Sequence, residues 1–151
     1  TVNISSSVAP TVGQLLTATS STAATWQDSI SSVFGSNHEY VEDETESSTT
    51  LQVLQDKLSL TTASLIAGFY RISYNCEVDS AANSTVHAEV DYDTNIIAAF
   101  GTKTSGEFTA VSGFKEVSLS GVVVVRIRYN IVENSKTAFI RRCRISITRI
   151  S

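Results

Sequence analysis

A period-two alternation of apolar and polar residues, which begins near residue 51, constrains the fold of this sequence more than any other feature. For example, Val123, Val125 and Ile127 alternate with Arg126 and Arg128. The same alternation recurs in other segments: residues 57–65, 69–78, 85–92 and 138–150. Such segments are predicted as strands with one apolar and one polar face. Strands of this kind are typical of two antiparallel sheets that pack against each other.

Turn signals separate these segments and set the number of strands. They fall at residues 67–68, 79–84, 93–95, 101–106, 112–113, 120–121 and 130–136. The resulting count of about seven or eight strands fits an eight-stranded jelly roll or an immunoglobulin-like sandwich. The only tryptophan, Trp26, lies outside the strand region, so the Cys-Trp-Cys pattern of immunoglobulin domains is missing. We therefore predict an all-β antiparallel jelly-roll sandwich over residues 51–151.

The N-terminal residues 1–27 differ from this pattern because they are mostly small and hydroxylated. The apolar side chains Val12, Leu15, Leu16 and Trp26 are isolated among them. Such a segment buries too little apolar surface to offset the entropy lost on ordering. We predict an extended arm that docks on another surface through these four residues.

Residues 28–50 are predicted as a linker, in which residues 36–50 form a solvated acidic loop. Residues 1–56 contain seven Asp or Glu and no Lys or Arg, whereas residues 57–151 contain eleven Lys or Arg and eight acids. A nucleic-acid-binding domain would show a concentrated basic surface, so no nucleic-acid partner is expected. No apolar run reaches the roughly 18 residues of a membrane helix, so no membrane partner is expected either.

The residue types that carry metal or nucleophile chemistry are few. Cys76 and Cys143 are too few for a zinc site, and His38 and His87 do not stand at ligand spacing from them. No nucleophile elbow or phosphate-binding loop is present. The segment that starts at Asp91, DYDTN, imitates a calcium loop but lacks the required Gly and Glu. We therefore expect no cofactor, no metal and no enzymatic activity.

Two segments carry a resemblance to phage structural proteins. Residues 13–27, GQLLTATSSTAATWQ, closely resemble a connector found in phage fibre, collar and head-decoration proteins. Residues 57–78, KLSLTTASLIAGFYRISYNCEV, are similar to the opening of TNF/C1q-like jelly-roll domains in phage proteins. The resemblance implies a virion structural protein, and a homotrimer in which each jelly roll uses one sheet face against its neighbours.

Within the expected trimer, arginine on the non-core strand faces favours an interface, since arginine is enriched in interfaces. The alternative is that these arginines only keep an exposed sheet in solution. The predicted interface residues are Arg71, Val122, Val124, Arg126, Arg128, Arg142 and Arg144.

The resemblance points to a decoration or head-fibre subunit that binds the major capsid protein, or another virion protein, through the arm. The alternative is a receptor-binding tip of a tail fibre that contacts a host surface glycan or protein. A hydrolase would need paired carboxylates, and Glu89 and Asp91 are the only nearby pair on one strand face.

The TNF-like topology also predicts a strand register. If Ile72 pairs with Ile147, Cys76 lies opposite Cys143 on the core side. A disulfide between adjacent strands is then conceivable, although such bridges are often strained. We favour two buried thiols, because phage particles assemble in a reducing cytoplasm.

Overall fold

The computed structural model describes residues 3–4, 14–18, 23–28, 38–81 and 83–151. The chain divides into two compact units, Thr1–Ser36 and Asn37–Ser151. The described residues contain strands and no helix, and so no helix long and apolar enough to cross a membrane is found among them.

The first unit contains three short strands that pair with one another. They are β1 (Asn3–Ile4), β2 (Gln14–Ala18) and β3 (Ala23–Asp28), in the spatial order β1-β3-β2. The β2–β3 pair is antiparallel, and it places Leu16 opposite Trp26. The residues predicted as an arm therefore carry strand pairing of their own.

The second unit is an antiparallel sandwich of two sheets, as the sequence predicted. Its strands are β4 (His38–Asp43), β5 (Ser47–Thr49), β6 (Gln55–Thr61), β7 (Leu65–Ser80), β8 (Ser84–Tyr92), β9 (Asn95–Thr104), β10 (Thr109–Gly121), β11 (Val124–Ile131) and β12 (Ala138–Arg149). Sheet I has the order β10-β7-β12-β4, with β5 also paired to β12, and sheet II has the order β6-β11-β8-β9. This arrangement confirms the jelly-roll fold class.

The core lies between the two sheets and is built from the apolar positions of the alternating strands. Val125, Ile127 and Tyr129 of β11 are almost completely buried, and so are Ile72 of β7 and Ile145 of β12. Each such side chain stabilises the fold by roughly 1.5–3 kcal/mol when it leaves water. The alternation read from the sequence is thus the alternation of core and outward faces.

The predicted register between β7 and β12 is also confirmed. Ile72 pairs with Ile147, and the regular pairing continues as far as Asn75 with Arg144, after which a β-bulge interrupts it. There Arg142 and Cys143 together face Cys76 on β7. Cys76 and Cys143 are both buried and are not bonded to each other.

The prediction of a solvated loop over residues 36–50 was wrong for two segments, because β4 and β5 pair with β12. In β4, Tyr40 and Glu42 face outward, whereas Val41 packs against the core. The inward acids have long-range partners: Glu39 accepts a hydrogen bond from the backbone N–H of Ala63, and Asp43 binds a lysine. These partners lie outside the segment, so the acidic composition concealed a strand.

Two predicted turns, at residues 67–68 and 112–113, lie inside β7 and β10. Gly113 is needed in mid-strand because the Tyr74 ring of β7 occupies the space that a side chain would take. Near Gly68, the carbonyl oxygen of Ser151 lies only 2.6 Å from where a Cβ atom would stand. The sequence was misleading here, because close packing, not chain reversal, requires both glycines.

The predicted turn at residues 93–95 is confirmed as a tight hairpin between β8 and β9. Tyr92 pairs with Asn95, and the two residues between them, Asp93 and Thr94, have positive φ angles of 43° and 79°. Such angles at both central positions are those of a type I′ turn.

Among the described residues, no group of three His, Cys, Asp or Glu side chains could hold a metal ion.

Candidate functional site: the outward face of sheet I

The outward face of sheet I carries an ordered row of side chains. Phe114 of β10 pairs with Ser73 of β7, Ser73 with Ser146 of β12, and Ser146 with Tyr40 of β4. Two aromatic residues therefore flank two small hydroxyl side chains. With the usual spacing between neighbouring strands, the two aromatic residues lie about 14 Å apart.

Two further rows lie above and below this one. They are Glu116, Arg71, Thr148 and His38, and Ser112, Asn75, Arg144 and Glu42. We call these three rows, together with Phe69, the front face.

Each side of the row carries an arginine stacked on an aromatic ring. The Arg71 guanidinium lies 4.7 Å from the centre of the Phe114 ring and is paired with Glu116 at 2.6 Å. The Arg144 guanidinium lies 5.1 Å from the centre of the Tyr40 ring. Cation–π stacking of this kind holds the arginines flat against the sheet.

The front face contains every exposed Phe, Tyr or Trp side chain in the described part of the chain. Tyr40 is 55% exposed, Phe69 is 56% exposed and Phe114 is 61% exposed. Isolated exposed apolar residues are ordinary, but a cluster of aromatic rings with arginine on one sheet has the composition of an interface core.

The β-bulge marks one end of the front face. Arg142 adopts a positive φ of 49°, and the side-chain amide of Asn75 donates to its carbonyl oxygen at 3.0 Å. Glu77 accepts hydrogen bonds from Arg141 at 2.7 Å and from Arg142 at 3.0 Å. These two arginines lower the pKa of Glu77 below its ordinary value. The bulge therefore points one arginine outward while its charge is balanced by Glu77.

The outward face of sheet II is different, because its charges are paired with each other across the neighbouring strands β8 and β11. Arg126 donates through Nε and Nη2 to Oδ1 of the fully buried Asp91, at 3.1 and 2.9 Å. Nε of Arg128 lies 2.8 Å from Oδ2 of Asp91 without hydrogen-bond alignment, and its Nη2 donates to Glu89. The hydrogen bond with Asp91 raises the pKa of Arg126. Both carboxylates that a hydrolase would need are thus held in ion pairs.

His87 continues this set of paired polar groups. Its Nδ1 atom lies 3.1 Å from Oδ1 of Asn130, which is buried and donates to the carbonyl oxygen of Gln52. The ring is half-buried. Its contact is structural, since it joins neighbouring strands β8 and β11.

The structure divides the seven predicted interface residues between the two sheets. Arg71, Arg142 and Arg144 lie on the outward side of sheet I. Val124, Arg126 and Arg128 lie on the outward side of sheet II, and the exposed Val122 lies just before β11. The sequence could not show this division, because β11 and β12 present the same alternation but belong to different sheets.

The predicted attachment residues fall in the first unit. Leu16, which is 44% exposed, pairs with the half-buried Trp26, and Leu15 pairs with Gln27. Val12 lies outside the described residues. The pairing places three of the four residues in one hairpin.

The three aromatic residues of the front face were not predicted from the sequence. Tyr40 lay in the segment predicted as a loop, while Phe69 and Phe114 stood beside predicted turns. The available signal was an aromatic residue at a position where the alternation requires a polar one. Phe69, for example, precedes the core residue Tyr70 and so belongs to the outward set.

No protein-family model matches this sequence, and no curated protein matches it. Solved structures do match the fold. Dimeric latent PorU from Porphyromonas gingivalis matches with a TM-score of 0.50 and 6% identity, over 75% of this chain and 13% of that protein. The match therefore spans only a small part of the length of PorU.

Two further structures match at lower TM-scores. The infectious bursal disease virus Gt strain has a TM-score of 0.49 and 8% identity, over 83% of this chain and 35% of that chain. TmCBM61, solved with β-1,4-galactotriose, has a TM-score of 0.39 and 15% identity, over 76% of this chain and 90% of that chain. At these identities and TM-scores, neither structure carries a function over to this chain.

Proposed function

We propose that this chain is a structural subunit of a phage virion, of the capsid decoration or head-fibre type. Its jelly roll forms a homotrimer through the front face, its N-terminal arm attaches to the major capsid protein or another virion protein, and it catalyses no reaction. The phage origin rests on the resemblance of residues 13–27 and 57–78. The use of the front face rests on the geometry of sheet I.

The observation that carries the proposal is the clustering of Tyr40, Phe69 and Phe114 on one sheet face. Aromatic residues and arginine dominate the energy of protein interfaces because they bury large areas with little loss of side-chain freedom. The small side chains of Ser73 and Ser146 allow close approach of a partner. A second copy is the favoured occupant, because the face offers both Arg144 and acids such as Glu42 for pairing between copies.

The experiment compares two substitutions at equally exposed positions on opposite sheets. Phe114→Glu, on the front face, should convert a trimer of three 16.2 kDa chains into monomers in sedimentation velocity. Ile96→Glu, at a residue 60% exposed on β9 of sheet II, should leave the trimer intact. A monomeric wild-type protein, or a trimer that both variants retain, would show that the front face is not the interface.

Attachment is tested separately in the full-length chain. Leu16→Asp, in the hairpin of the first unit, should abolish co-sedimentation of purified protein with particles that lack it, while the trimer persists. Labelled wild-type protein imaged on particles would distinguish a capsid position from a tail position. Binding of Leu16→Asp at wild-type levels contradicts attachment through this residue.

The second candidate function is a receptor-binding tip, for which the row Phe114, Ser73, Ser146 and Tyr40 is a specific observation. Two aromatic rings separated by small hydroxyl side chains provide stacking surfaces and hydrogen-bond groups for a sugar chain. This use requires an open front face. A monomer that binds host cells, and loses that binding in Tyr40→Ala, would favour the receptor role over the trimeric one.

A further inference from the structure

We propose that Cys76 and Cys143 are a site of covalent modification, at which a soluble disulfide oxidises the folded protein and closes an intrachain disulfide between the two central strands of sheet I. The reduced thiols described above are the starting state. The inference concerns the second unit alone, and it does not depend on a virion role.

The geometry brings the two side chains together. β7 and β12 are neighbours in the interior of sheet I, and the β-bulge sets Cys143 opposite Cys76. Residues opposite each other in antiparallel strands have Cα atoms about 4.5–5.5 Å apart, which lies within the range that disulfides span. Cys76 is 1% exposed and Cys143 is 0% exposed, so both point into the same core.

The bulge supplies the freedom that a regular ladder lacks. Cross-strand disulfides in regular antiparallel pairs are often strained, whereas two residues of β12 here share the space opposite one residue of β7. Asn75 holds the bulge in place through its hydrogen bond to the carbonyl oxygen of Arg142. That hydrogen bond fixes Arg142, while the regular pairing from Asn75 with Arg144 to Ile72 with Ile147 confines any adjustment of Cys143 to the bulge itself.

The reaction balances as two successive exchanges. The thiolate of one cysteine attacks oxidised glutathione and releases one reduced glutathione. The second cysteine then attacks the mixed disulfide, forms the bond between Cys76 and Cys143, and releases the second glutathione. Two electrons and two protons pass from the protein to glutathione. The chain has no other cysteine, so only one intrachain product exists.

The environment makes this closure slow. A hydrogen bond with Cys76, together with burial, raises the pKa of the Cys143 thiol. The reactive thiolate is therefore scarce, and a large oxidant reaches it only when sheet I opens locally. Oxidation should become faster in urea concentrations below the unfolding transition.

The test uses the wild-type protein, purified under reducing conditions and then incubated with oxidised glutathione. Intact mass should fall by two hydrogens, and peptide mapping should link Cys76 to Cys143. The oxidised form should unfold at a urea midpoint higher by about 1 M than the reduced form, because the bridge restricts the unfolded chain. Adding reductant should reverse both changes.

The matched control is Cys76→Ala. Treatment with oxidised glutathione should cause no loss of two hydrogens in this variant and should not raise its urea midpoint of unfolding. The proposal is overturned if two alkylatable thiols persist in oxidised wild-type protein after unfolding, if a glutathione adduct is the stable product, or if the bond joins two chains. Because the bridge is mapped in the wild type, these outcomes decide the matter even if the control variant does not fold.

Discussion

Lys57 points its ammonium nitrogen at the carboxylate of Asp43, 2.6 Å from Oδ2, and its side chain is only 2% exposed. The remaining ammonium hydrogens are directed at the carbonyl oxygen of Thr45, at 2.9 Å, and at the hydroxyl of Ser47, at 3.0 Å. This single side chain joins β6 of sheet II to the connection between β4 and β5 of sheet I. The acidic segment is thus anchored by a buried cation.

Replacing Lys57 with Met should destabilise the protein by about 2–3 kcal/mol, because it leaves the Asp43 carboxylate, the Thr45 carbonyl oxygen and the Ser47 hydroxyl without their donor. Urea unfolding followed by fluorescence measures the change. The control is Lys115→Met, at an exposed lysine on β10, which should change stability by less than about 0.5 kcal/mol. Equal effects of the two substitutions would contradict an anchoring role for Lys57.

The same contact predicts a loss of stability in acid. Hydrogen bonds from Lys57 and Thr45 lower the pKa of Asp43 from 3.8 to about 2. Because the folded-state pKa is the lower one, the contribution is complete above the unfolded value and is lost as the pH falls from about 4 to 2. Melting temperatures measured across this range should fall.

Asp43→Asn is the matched variant for the acid effect. It should be less stable at pH 7 and lose less stability between pH 4 and pH 2 than the wild type. Part of the slope should remain, because Glu77 and Glu133 also have lowered pKa values. An unchanged slope in Asp43→Asn would mean that Asp43 does not carry the effect.

The buried Asp91 predicts a comparable loss of stability on sheet II. Asp91→Asn keeps the shape but removes the charge that Arg126 and Arg128 share, and it should cost about 2–3 kcal/mol, since both arginines are about a quarter exposed and so partly solvated. Asp93→Asn, in the exposed hairpin, should change little. A cost for Asp91→Asn no greater than that for Asp93→Asn would contradict the pairing described here.

The strand alternation was sufficient to predict the core. Every second residue of a strand points to the same side of its sheet, so an alternating apolar set such as Val125 and Ile127 is buried together. The pairing of Ile72 with Ile147 followed from the topology that the resemblance implied. By contrast, β4 was not predicted, because its inward acids Glu39 and Asp43 are satisfied only by partners far along the chain.

The candidate site was predictable only in part. An outward aromatic residue such as Phe114 can be recognised from the alternation once the strand is known. The sheet that a strand joins cannot be recognised from the alternation, because sheet membership depends on long-range pairing. For this reason Arg126 and Arg144 looked equivalent in the sequence, although they lie on opposite faces of the sandwich.

Two glycines inside strands, Gly113 of β10 and Gly101 of β9, predict opposite outcomes for substitution by alanine. Gly113→Ala should cost about 1–3 kcal/mol, because its Cβ atom would overlap the Tyr74 ring. Gly101→Ala should be neutral or stabilise slightly, because its Cβ atom would lie 3.5 Å from Thr85, an ordinary contact. Thermal unfolding of both variants measures the difference, and similar melting temperatures would show that Tyr74 does not fill the space.

The bulge predicts an unusual preference at residue 142. Arg142 has a positive φ of 49°, a region that costs ordinary side chains about 1–2 kcal/mol and that β-branched residues avoid most strongly. Arg142→Gly and Arg142→Val both remove the bond to Glu77, so their difference reports the backbone alone. The glycine variant should be more stable than the valine variant by about 2 kcal/mol in urea unfolding. In a regular strand valine would be the more stable, so the reverse order would mean that residue 142 is extended and that no bulge separates Cys143 from Arg141.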